Sequence, residues 1–348
     1  MTPKKVTIRD VAQAAGCSVA SVCYAFSGSG KIREETRQRI FEAAERLGYT
    51  PNKAAQSLSR NPRHIGVIMP DSFDEVARLF RNSVIETINS CMWCNLQYTL
   101  CGFEWYSAES QRQAMDRLLA MPACDGIIAN LNYSMADSIR DGCETINRRG
   151  IPVVCLMESN PMLSSICSVE VDAVGVGRAA AGLLFGCGSR RTVVIVGDRM
   201  ALIHRENETG FRMRANELGL AVLDVGVTHN DSDVAEAVTR DLLNRYEPDG
   251  IFVTSYVSAA VCRAIRESGR AGRVRVVGVD VCNSISPVLA SGEMVASFYQ
   301  NQIGQAKTAT NLLIDAMFSG GRMTAERRIL VKPEIVVPEL LSHYVSQA

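Results

Sequence analysis

The chain has 348 residues, 47% of them apolar, and its 37 Lys and Arg balance its 37 Asp and Glu. That length and composition predict a globular protein of two or three domains with substantial buried cores. No apolar run approaches the roughly 20 residues that span a bilayer, and the first residues lack the apolar segment of a secretion signal. A membrane protein is therefore excluded, and a cytoplasmic protein is expected.

The balanced charge conceals an uneven distribution along the chain. Residues 1–63 contain 11 Lys and Arg against 5 Asp and Glu, whereas residues 64–348 contain 26 against 32. A basic N-terminal part on an acidic remainder indicates that only the N-terminal part binds an anionic polymer.

The 12 cysteines are spread from Cys17 to Cys282 without the spacing of a metal finger. In a chain of this size we expect reduced thiols that pack as small apolar groups, with no metal and no cofactor. Cys91 and Cys94 form a CxxC pair, but the helical pattern around them favours packing over redox chemistry. The sequence does not decide whether this pair has a redox role.

The N-terminal residues predict two short helices in succession. Thr7 and Asp10 have the spacing of a capping box, and the helix that they open ends at Gly16. Ser18 can cap a second helix, which continues to Phe26 and ends in a Ser-Gly-Ser-Gly run. Two short helices joined by a glycine turn form a helix-turn-helix.

A third helix is predicted from about Glu34 to Leu47, and Gly48 ends it. Its inward-facing residues are expected to be Ile40, Ala43, Ala44 and Leu47. Asn52 can cap one further segment, Lys53–Ser59, which has too few apolar residues to be a stable helix alone. Three helices and a marginal fourth segment thus make a small headpiece and a hinge.

These motifs together resemble the headpiece of the lactose-repressor (LacI/GalR) family of bacterial transcription regulators. The motifs that carry the resemblance are Thr7-Ile8-Arg9-Asp10-Val11-Ala12, Ala15-Gly16-Cys17-Ser18-Val19-Ala20-Ser21-Val22, Glu34-Glu35-Thr36-Arg37, Leu47-Gly48-Tyr49 and Pro51-Asn52. The signature is long and ordered, and it implies a sequence-specific DNA-binding regulator and not an enzyme.

From Ile65 onward apolar strands alternate with amphipathic helices, which is typical of doubly wound α/β domains with parallel sheets. Strands are expected at Ile65–Met69, Leu96–Cys101, Gly126–Ala129, Val153–Leu156, Val193–Val196, Ala221–Val225, Ile251–Val253 and Val274–Val279. The resemblance continues in this region through Ile65-Gly66-Val67, Cys124-Asp125-Gly126-Ile127-Ile128, Ile151-Pro152-Val153-Val154, Val171-Asp172, Gly210-Phe211 and Val277-Gly278-Val279-Asp280. It implies an all-α helix-turn-helix headpiece plus an α/β periplasmic-binding-protein-like core of two doubly wound subdomains.

The expected domains follow from this resemblance, which implies three chain crossings between the subdomains. We place the crossings near Ser164, Ala296 and Ala325. The resulting ranges are 1–51 for the headpiece, 52–63 for the hinge helix and linker, 64–340 for the effector-binding and dimerisation domain, and 341–348 for a tail. Within that domain the N-subdomain is expected at about 64–164 plus 296–324, and the C-subdomain at about 165–295 plus 325–340.

In a helix-turn-helix the second helix enters the major groove, so Val19, Ala20 and Tyr24 are expected to face base edges. The family often has Arg where this chain has Tyr24, and usually Ser where it has Cys23, whose thiol is a weak hydrogen-bond donor to phosphate. The remaining candidate phosphate contacts are Thr7, Ser18, Ser21, Lys31, Arg37 and Asn52. Ala55 and Leu58 match the family's hinge positions, where paired leucines of a dimer wedge open the minor groove.

The resemblance also implies a small-molecule effector in the cleft between the subdomains. Asn130 and Asp280 fall at strand ends where family members hydrogen-bond a ligand, commonly a sugar, although capping of the strand ends is an alternative. Three positions depart from the family's charged pattern, namely Met157, Asn207 and Tyr256. Their loss favours a less polar or aromatic ligand, or none, since each buried sugar hydroxyl needs a partner. Asp71, Trp105 and Glu158 are candidates by placement alone.

Two other functional classes fit the sequence poorly. An enzyme is disfavoured because Gly175-Val176-Gly177 lacks the third glycine of a dinucleotide fingerprint, and residues 28–31 lack the full pattern of a phosphate loop. A solute-binding protein would need an export signal and no headpiece.

A palindromic operator requires a two-fold protein, so a homodimer is expected, without a tetramer-forming heptad tail. The sequence predicts a nucleoid-associated regulator, most simply a repressor, with an activator that lacks a sugar effector as the alternative. Effector, operator, regulated genes and higher oligomers stay undetermined.

Overall fold

The structure is a computed structural model that describes residues 6–18, 21–22, 25–26, 33–49, 62–71, 75–91, 95–319 and 327–344. The chain forms two units. The headpiece unit comprises Met1–Pro62 and Cys91–Asn95, and the core unit comprises Arg63–Ser90 and Leu96–Ala348.

The first helix of the headpiece, α1 (Ile8–Ala14), begins where the capping box predicts. The carboxylate of Asp10 accepts a hydrogen bond from the Thr7 backbone N–H at 2.7 Å and another from the Thr7 hydroxyl at 2.6 Å. Ser18 caps the next helix, since its hydroxyl oxygen accepts the backbone N–H of Ser21 at 3.1 Å. The Ser18 side chain is therefore the N-cap of the second helix of the motif.

The third helical segment, α2 (Glu34–Leu47), ends at Gly48, whose φ of 63° lies in the left-handed region. This is the ending that the sequence predicts, because a glycine takes that conformation without strain. The small side chains of the helices share one buried core, formed by Val11, Ala12, Ala15, Val22, Ala25, Ile40, Ala43 and Ala44. The expected inward face of α2 is confirmed, with Leu47 only partly buried.

The core unit alternates strands and helices. Its strands are β1 (Arg63–Pro70), β2 (Leu96–Phe103), β3 (Gly126–Ala129), β4 (Val153–Leu156), β5 (Cys167–Val171), β6 (Arg191–Val196), β7 (Ala221–Val227), β8 (Gly250–Val253), β9 (Arg275–Val279), β10 (Ala296–Tyr299), β11 (Arg327–Val331) and β12 (Glu334–Val336). Its helices are α3 (Glu75–Ser90), α4 (Ala108–Leu119), α5 (Arg140–Arg149), α6 (Ala173–Gly186), α7 (Leu202–Leu218), α8 (Ser232–Tyr246), α9 (Ser258–Glu267), α10 (Ser286–Ala290) and α11 (Gln302–Ser319). None of the helices described has the length and apolarity needed to cross a bilayer.

The strands form two six-stranded sheets, each the centre of one subdomain. The order is β11-β5-β4-β3-β1-β2 in the first sheet and β12-β10-β9-β8-β6-β7 in the second. Every pairing is parallel except that of β10 with β12. Helices connect the parallel strands, so the carboxyl ends of the central strands emerge at one edge of each sheet.

The chain crosses between the subdomains later than the sequence analysis placed it. Strand β5 belongs to the first sheet and β10 to the second, so the crossings follow Val171 and Tyr299 and not Ser164 and Ala296. The third crossing lies at 332–333, after β11 has paired with β5, and not near Ala325. Local patterns do not fix these points, because they depend on which distant edge a strand joins.

Two glycines let α6 and α7 pack closely together. A Cβ on Gly177 would lie 2.0 Å from the carbonyl oxygen of Asn207, and a Cβ on Gly210 would lie 2.0 Å from that of Val174. Gly175 has a different role, because its N–H caps α6 by donating to Asp172 at 2.8 Å. The Gly-Val-Gly run that resembles part of a dinucleotide fingerprint thus serves a helix cap and a helix contact.

Gly177→Ala should destabilise the core unit by about 1–3 kcal/mol, since the atoms in the way belong to the backbone of α7 and cannot move aside cheaply. The matched control is Gly182→Ala on the same helix, where a Cβ meets nothing within 4 Å. That change should be neutral or stabilise by up to about 1 kcal/mol. Denaturant unfolding of both variants measures the difference, and equal effects would contradict the close approach.

Candidate ligand cavity and nucleic-acid interface

A cavity of about 210 Å³ lies between the two subdomains, at the carboxyl ends of their strands. Four of the predicted ligand contacts reach it from separate strands. Asn130 follows β3, Met157 follows β4, Tyr256 follows β8 and Asp280 follows β9. Parallel pairing brings these side chains together although they are far apart in sequence.

The two walls of the cavity differ in chemistry. The wall of the first subdomain is mostly apolar and includes Met69, Val76, Phe80, Trp105, Tyr106 and Met157. The wall of the second subdomain is mostly polar and includes His204, Asn230, Ser255, Asp280 and Gln300. Asn130 and Glu158 are the polar exceptions on the first wall. A bound molecule therefore meets one apolar side and one polar side.

Met157 and Asp280 occupy equivalent positions in the two subdomains. Met157 follows β4 and Asp280 follows β9, each the third strand in the order of its sheet, and each residue has a φ of 73°. Each also donates its backbone N–H at 2.9 Å to the neighbouring strand, to Val169 and to Phe298 respectively. Neither residue is a glycine, so both backbones are strained, and such strain concentrates at ligand-binding sites.

Asp280 is buried, with 4% of its surface exposed, and its carboxylate is held in place. Its Oδ1 accepts hydrogen bonds from Gln300 Nε2 at 2.7 Å and from Gln302 Nε2 at 2.9 Å. Both donors are glutamine amides, which orient the carboxylate.

Asn130 is also buried and offers an acceptor to the cavity. Its Nδ2 lies 3.0 Å from the sulfur of Met157, which can only accept a hydrogen bond, so the amide orientation is fixed. Its Oδ1 has no hydrogen-bond partner among the residues described. A buried acceptor without a partner costs free energy, and a ligand that donates a hydrogen bond would remove that cost.

The fifth predicted contact, Asn207, does not line the cavity. It lies buried on α7, where its backbone oxygen faces Gly177 of α6. Ile203 and His204, in the first turn of α7, line the cavity, whereas Asn207 lies one turn further along the helix, where it packs against α6.

Several lining residues were not found by sequence reasoning, among them Phe80, Tyr106, His204 and Asn230. Burial lowers the pKa of His204 to about 4, and its Nδ1 lies 3.0 Å from the Thr254 hydroxyl, so the ring is neutral. The run His-Asn-Asp at 229–231, directly after β7, is the one sequence signal that marks a polar strand end.

Contacts join the two subdomains around the cavity. The Tyr106 hydroxyl donates to the backbone oxygen of His229 at 3.2 Å, and the Ser134 hydroxyl donates to that of Met200 at 2.7 Å. On another side Arg328 of β11 forms ion pairs with Glu170 of β5 and with Glu206 of α7. The two subdomains are thus joined by several polar contacts.

Glu158 lines the cavity and makes a further contact between the subdomains. Its carboxylate accepts the backbone N–H of Leu202, the first residue of α7, at 3.1 Å. Burial raises the pKa of Glu158 to about 7, opposed by that hydrogen bond and by Arg205. Near neutral pH the Glu158 carboxyl group is therefore partly protonated and partly ionised.

Four of the predicted DNA contacts lie in the described part of the headpiece. Thr7, Ser18 and Ser21 stand at helix starts, where backbone N–H groups favour an anion. Arg37 lies 4.0 Å from Glu34, and its buried Nε has no hydrogen-bond partner in the described residues. The others fall outside the described residues: Val19, Ala20, Cys23, Tyr24, Lys31, Asn52, Ala55 and Leu58.

Glu158→Gln should make the protein more stable than wild type at pH 8 but hardly at pH 5. The unfolded chain ionises this group near 4.5, whereas the folded chain keeps its proton until about 7. Wild-type stability is therefore lost as the pH rises through that window, by up to about 3 kcal/mol. Glutamine keeps an oxygen for the Leu202 N–H. Thermal unfolding across the pH range, with the exposed Glu144→Gln as control, measures the effect, and a pH-independent difference would contradict it.

Comparison with known proteins matches both units to described families. Residues 7–52 match the bacterial regulatory proteins of the lacI family, and residues 65–321 match a periplasmic binding protein domain. A curated relative, the HTH-type transcriptional regulator DegA of Bacillus subtilis, is 25% identical over 346 residues, which cover 96% of this chain and 97% of DegA.

Solved structures show the same fold. The lac repressor dimer bound to operator and an anti-inducer aligns with a TM-score of 0.67 at 20% identity, covering 97% of this chain and 99% of that one. The glucose-galactose binding protein GanP of Geobacillus stearothermophilus aligns with a TM-score of 0.70 at 16% identity, covering 80% of this chain and 99% of that one. With a lacI-type headpiece and a periplasmic-binding-protein-like core in one chain, this protein belongs to the LacI/GalR family of DNA-binding transcription regulators.

Proposed function

We propose that this regulator is a cytoplasmic, nucleoid-associated repressor that binds a palindromic operator as a homodimer and responds to a small molecule in its cavity. The observation that carries the proposal is the cavity between the subdomains, where Asn130 Oδ1 lacks a partner among the described residues, in a chain that also has a helix-turn-helix. A buried acceptor at strand ends fits a ligand site better than a purely structural core.

Val19, Ala20 and Tyr24 of the second helix would read each half-site in the major groove. The hydroxyl of Tyr24 can make one hydrogen bond to a base edge, and its ring can contact a thymine methyl, but it cannot form the paired contact that Arg makes to guanine. The operator should accordingly differ from those of members that carry Arg at this position.

The backbone of the operator would be held by the headpiece's helix starts and cations. Thr7, Ser18 and Ser21 stand where N–H groups and hydroxyls can meet phosphates, and the partly exposed guanidinium of Arg37 can donate to a phosphate. Lys31 and Asn52 complete this set, while Cys23 would contribute little because a thiol donates weakly.

The dimer follows from the symmetry of the target. One headpiece covers only a half-site, so a palindromic operator needs two chains related by a two-fold axis. The structural likeness to a lac repressor dimer on its operator supports this assembly. Light scattering at micromolar concentration should give twice the chain mass of 37.9 kDa. A monomer that still binds operator tightly would contradict the proposal.

The hinge segment around Ala55 and Leu58 would couple the core to the DNA. In a dimer the two leucines would enter the minor groove at the operator's centre and bend the duplex, at a cost of a few kcal/mol that added contacts offset. A ligand that alters how the subdomains close would then alter whether these segments meet as helices.

Leu58→Ala should weaken operator binding at least tenfold while leaving binding to random DNA nearly unchanged, because only the bent, specific complex uses the wedge. Fluorescence anisotropy on operator and scrambled duplexes at one fixed salt concentration measures both affinities. Leu340→Ala, an exposed leucine of the core unit, is the matched control and should change neither. Equal losses of affinity for the two duplexes would contradict the assignment of Leu58 to the minor-groove wedge.

The operator needed for that measurement comes from genome-wide mapping of the bound sites. The genes beside those sites also tell repression from activation when their transcripts are compared with those of a deletion strain. The competing proposal is a regulator or activator with a degenerate pocket and no sugar effector. It is favoured by Met157, a thioether in the cavity wall at a position where the resemblance to the family implies an acid.

A further inference from the structure

Three buried carboxyl groups surround the cavity. Glu158 and Asp280 line it, with 9% and 4% of their surfaces exposed. Asp198, 1% exposed, stands behind Tyr106 and contributes to raising the pKa of that phenol. No Lys or Arg is present among the described residues that line the cavity. The site therefore has an excess of acidic groups.

Several of the groups that donate hydrogen bonds to these acids are neutral. Backbone N–H groups of Leu202 and Met200 donate to Glu158 and to Asp198, and two glutamine amides donate to Asp280. The cationic neighbours are peripheral, namely exposed Arg205 near Glu158 and the exposed ring of His229, 4.0 Å from Asp198. Negative charge in a poorly hydrated cavity attracts a cation more strongly than it would in water.

Aromatic rings make up much of the rest of the lining. Phe80, Trp105 and Tyr106 stand on the first wall, and Tyr256 stands on the second. Aromatic faces attract cations, most strongly when water is excluded, and they also pack against flat apolar groups. This combination of acids and rings suits a molecule with a positive end and an apolar body.

The unpartnered polar atoms support the same conclusion. Asn130 Oδ1, Asn230 Oδ1 and Ser255 Oγ have no hydrogen-bond partner among the described residues, and all three residues line the cavity. Two of these atoms can only accept hydrogen bonds, and an ammonium group has three N–H donors and no acceptor. A sugar hydroxyl would satisfy an acceptor equally well but, unlike an ammonium group, would bring no positive charge to an ionised Glu158.

We propose that the cavity binds a small organic cation, a protonated amine on a flat apolar body, with the amine among Asn130, Glu158 and Asp280 and the body against the aromatic wall. This rests on the proposed function, in which the cavity holds the effector. The size fits one ring with a short chain, since a cavity of about 150 Å³ holds a benzene ring and this one measures about 210 Å³.

The test uses the full-length protein, three phenyl probes of nearly equal shape and one polyol. Calorimetry or ligand-detected NMR compares 2-phenylethylamine with 2-phenylethanol, phenylacetate and myo-inositol. The amine should bind about tenfold more tightly than the alcohol, and phenylacetate should not bind, because charge alone separates these probes. Binding of the alcohol, the acid or inositol as tightly as the amine would overturn the proposal, and so would no binding of the amine.

Variants locate the cation. Glu158→Gln and, independently, Asp280→Asn should each reduce amine affinity several-fold and leave the alcohol unchanged, while the exposed Glu144→Gln should alter neither. Equal losses for amine and alcohol, or none in either variant, would place the cation elsewhere and refute the assignment. Two variants are used so that misfolding of one leaves the test intact.

The pH dependence gives a further measurement. Amine affinity should rise between pH 6 and 8 as Glu158 ionises, in an environment that also contains Arg205, Glu170, Glu206 and the Leu202 N–H. The affinity of the alcohol should stay level, and a flat amine profile would contradict the pairing. Operator binding without any probe is measured on the same samples. If the protein binds the amine but not its operator, the regulatory proposal alone is rejected. If it binds the operator but not the amine, only the proposal of a cationic ligand is rejected.

Discussion

Parallel pairing of the central strands is the constraint on which the site depends. Because β3 and β4 run the same way as their neighbours, the residues that follow them emerge at one edge of the first sheet, and those after β8 and β9 do so in the second. Short loops there can only hold side chains near the strand ends. The cavity thus arises from the topology of the two sheets, and its chemistry is set by a few residues that follow strands.

The parts of this arrangement that depend on neighbouring residues could be predicted from the sequence. Alternating apolar runs located the central strands, and the strand-end rule placed Asn130 and Asp280 at the cavity. Prediction failed where the structure depends on contacts between residues that are far apart in the sequence. Asn207 depends on how α7 packs against α6, and the pairing of β5 with β11 depends on an edge more than a hundred residues away. Tyr106 reaches the cavity from a loop, and the sequence of that loop does not indicate that its hydroxyl will bind the backbone oxygen of His229.

Met157 and Asp280 show how equivalent positions in two similar subdomains can diverge. Their backbones share the same strained conformation and the same hydrogen bond to the next strand. Their side chains differ completely, one a thioether that orients Asn130 and the other a carboxylate held by two amides. The two positions thus share a backbone conformation and present different chemistry to the cavity.

The unequal walls of the cavity have a kinetic consequence. In a state with the subdomains apart, the first would present most of the apolar lining, including Phe80 and Trp105, whereas the second would present most of the polar groups. Contact with the first wall needs little orientation, because apolar attraction is non-directional. Hydrogen bonds to the second wall form only as the subdomains come together. Association of the ligand would then be fast and unselective. Similar molecules would be distinguished by their dissociation rates, which depend on how readily the subdomains reopen.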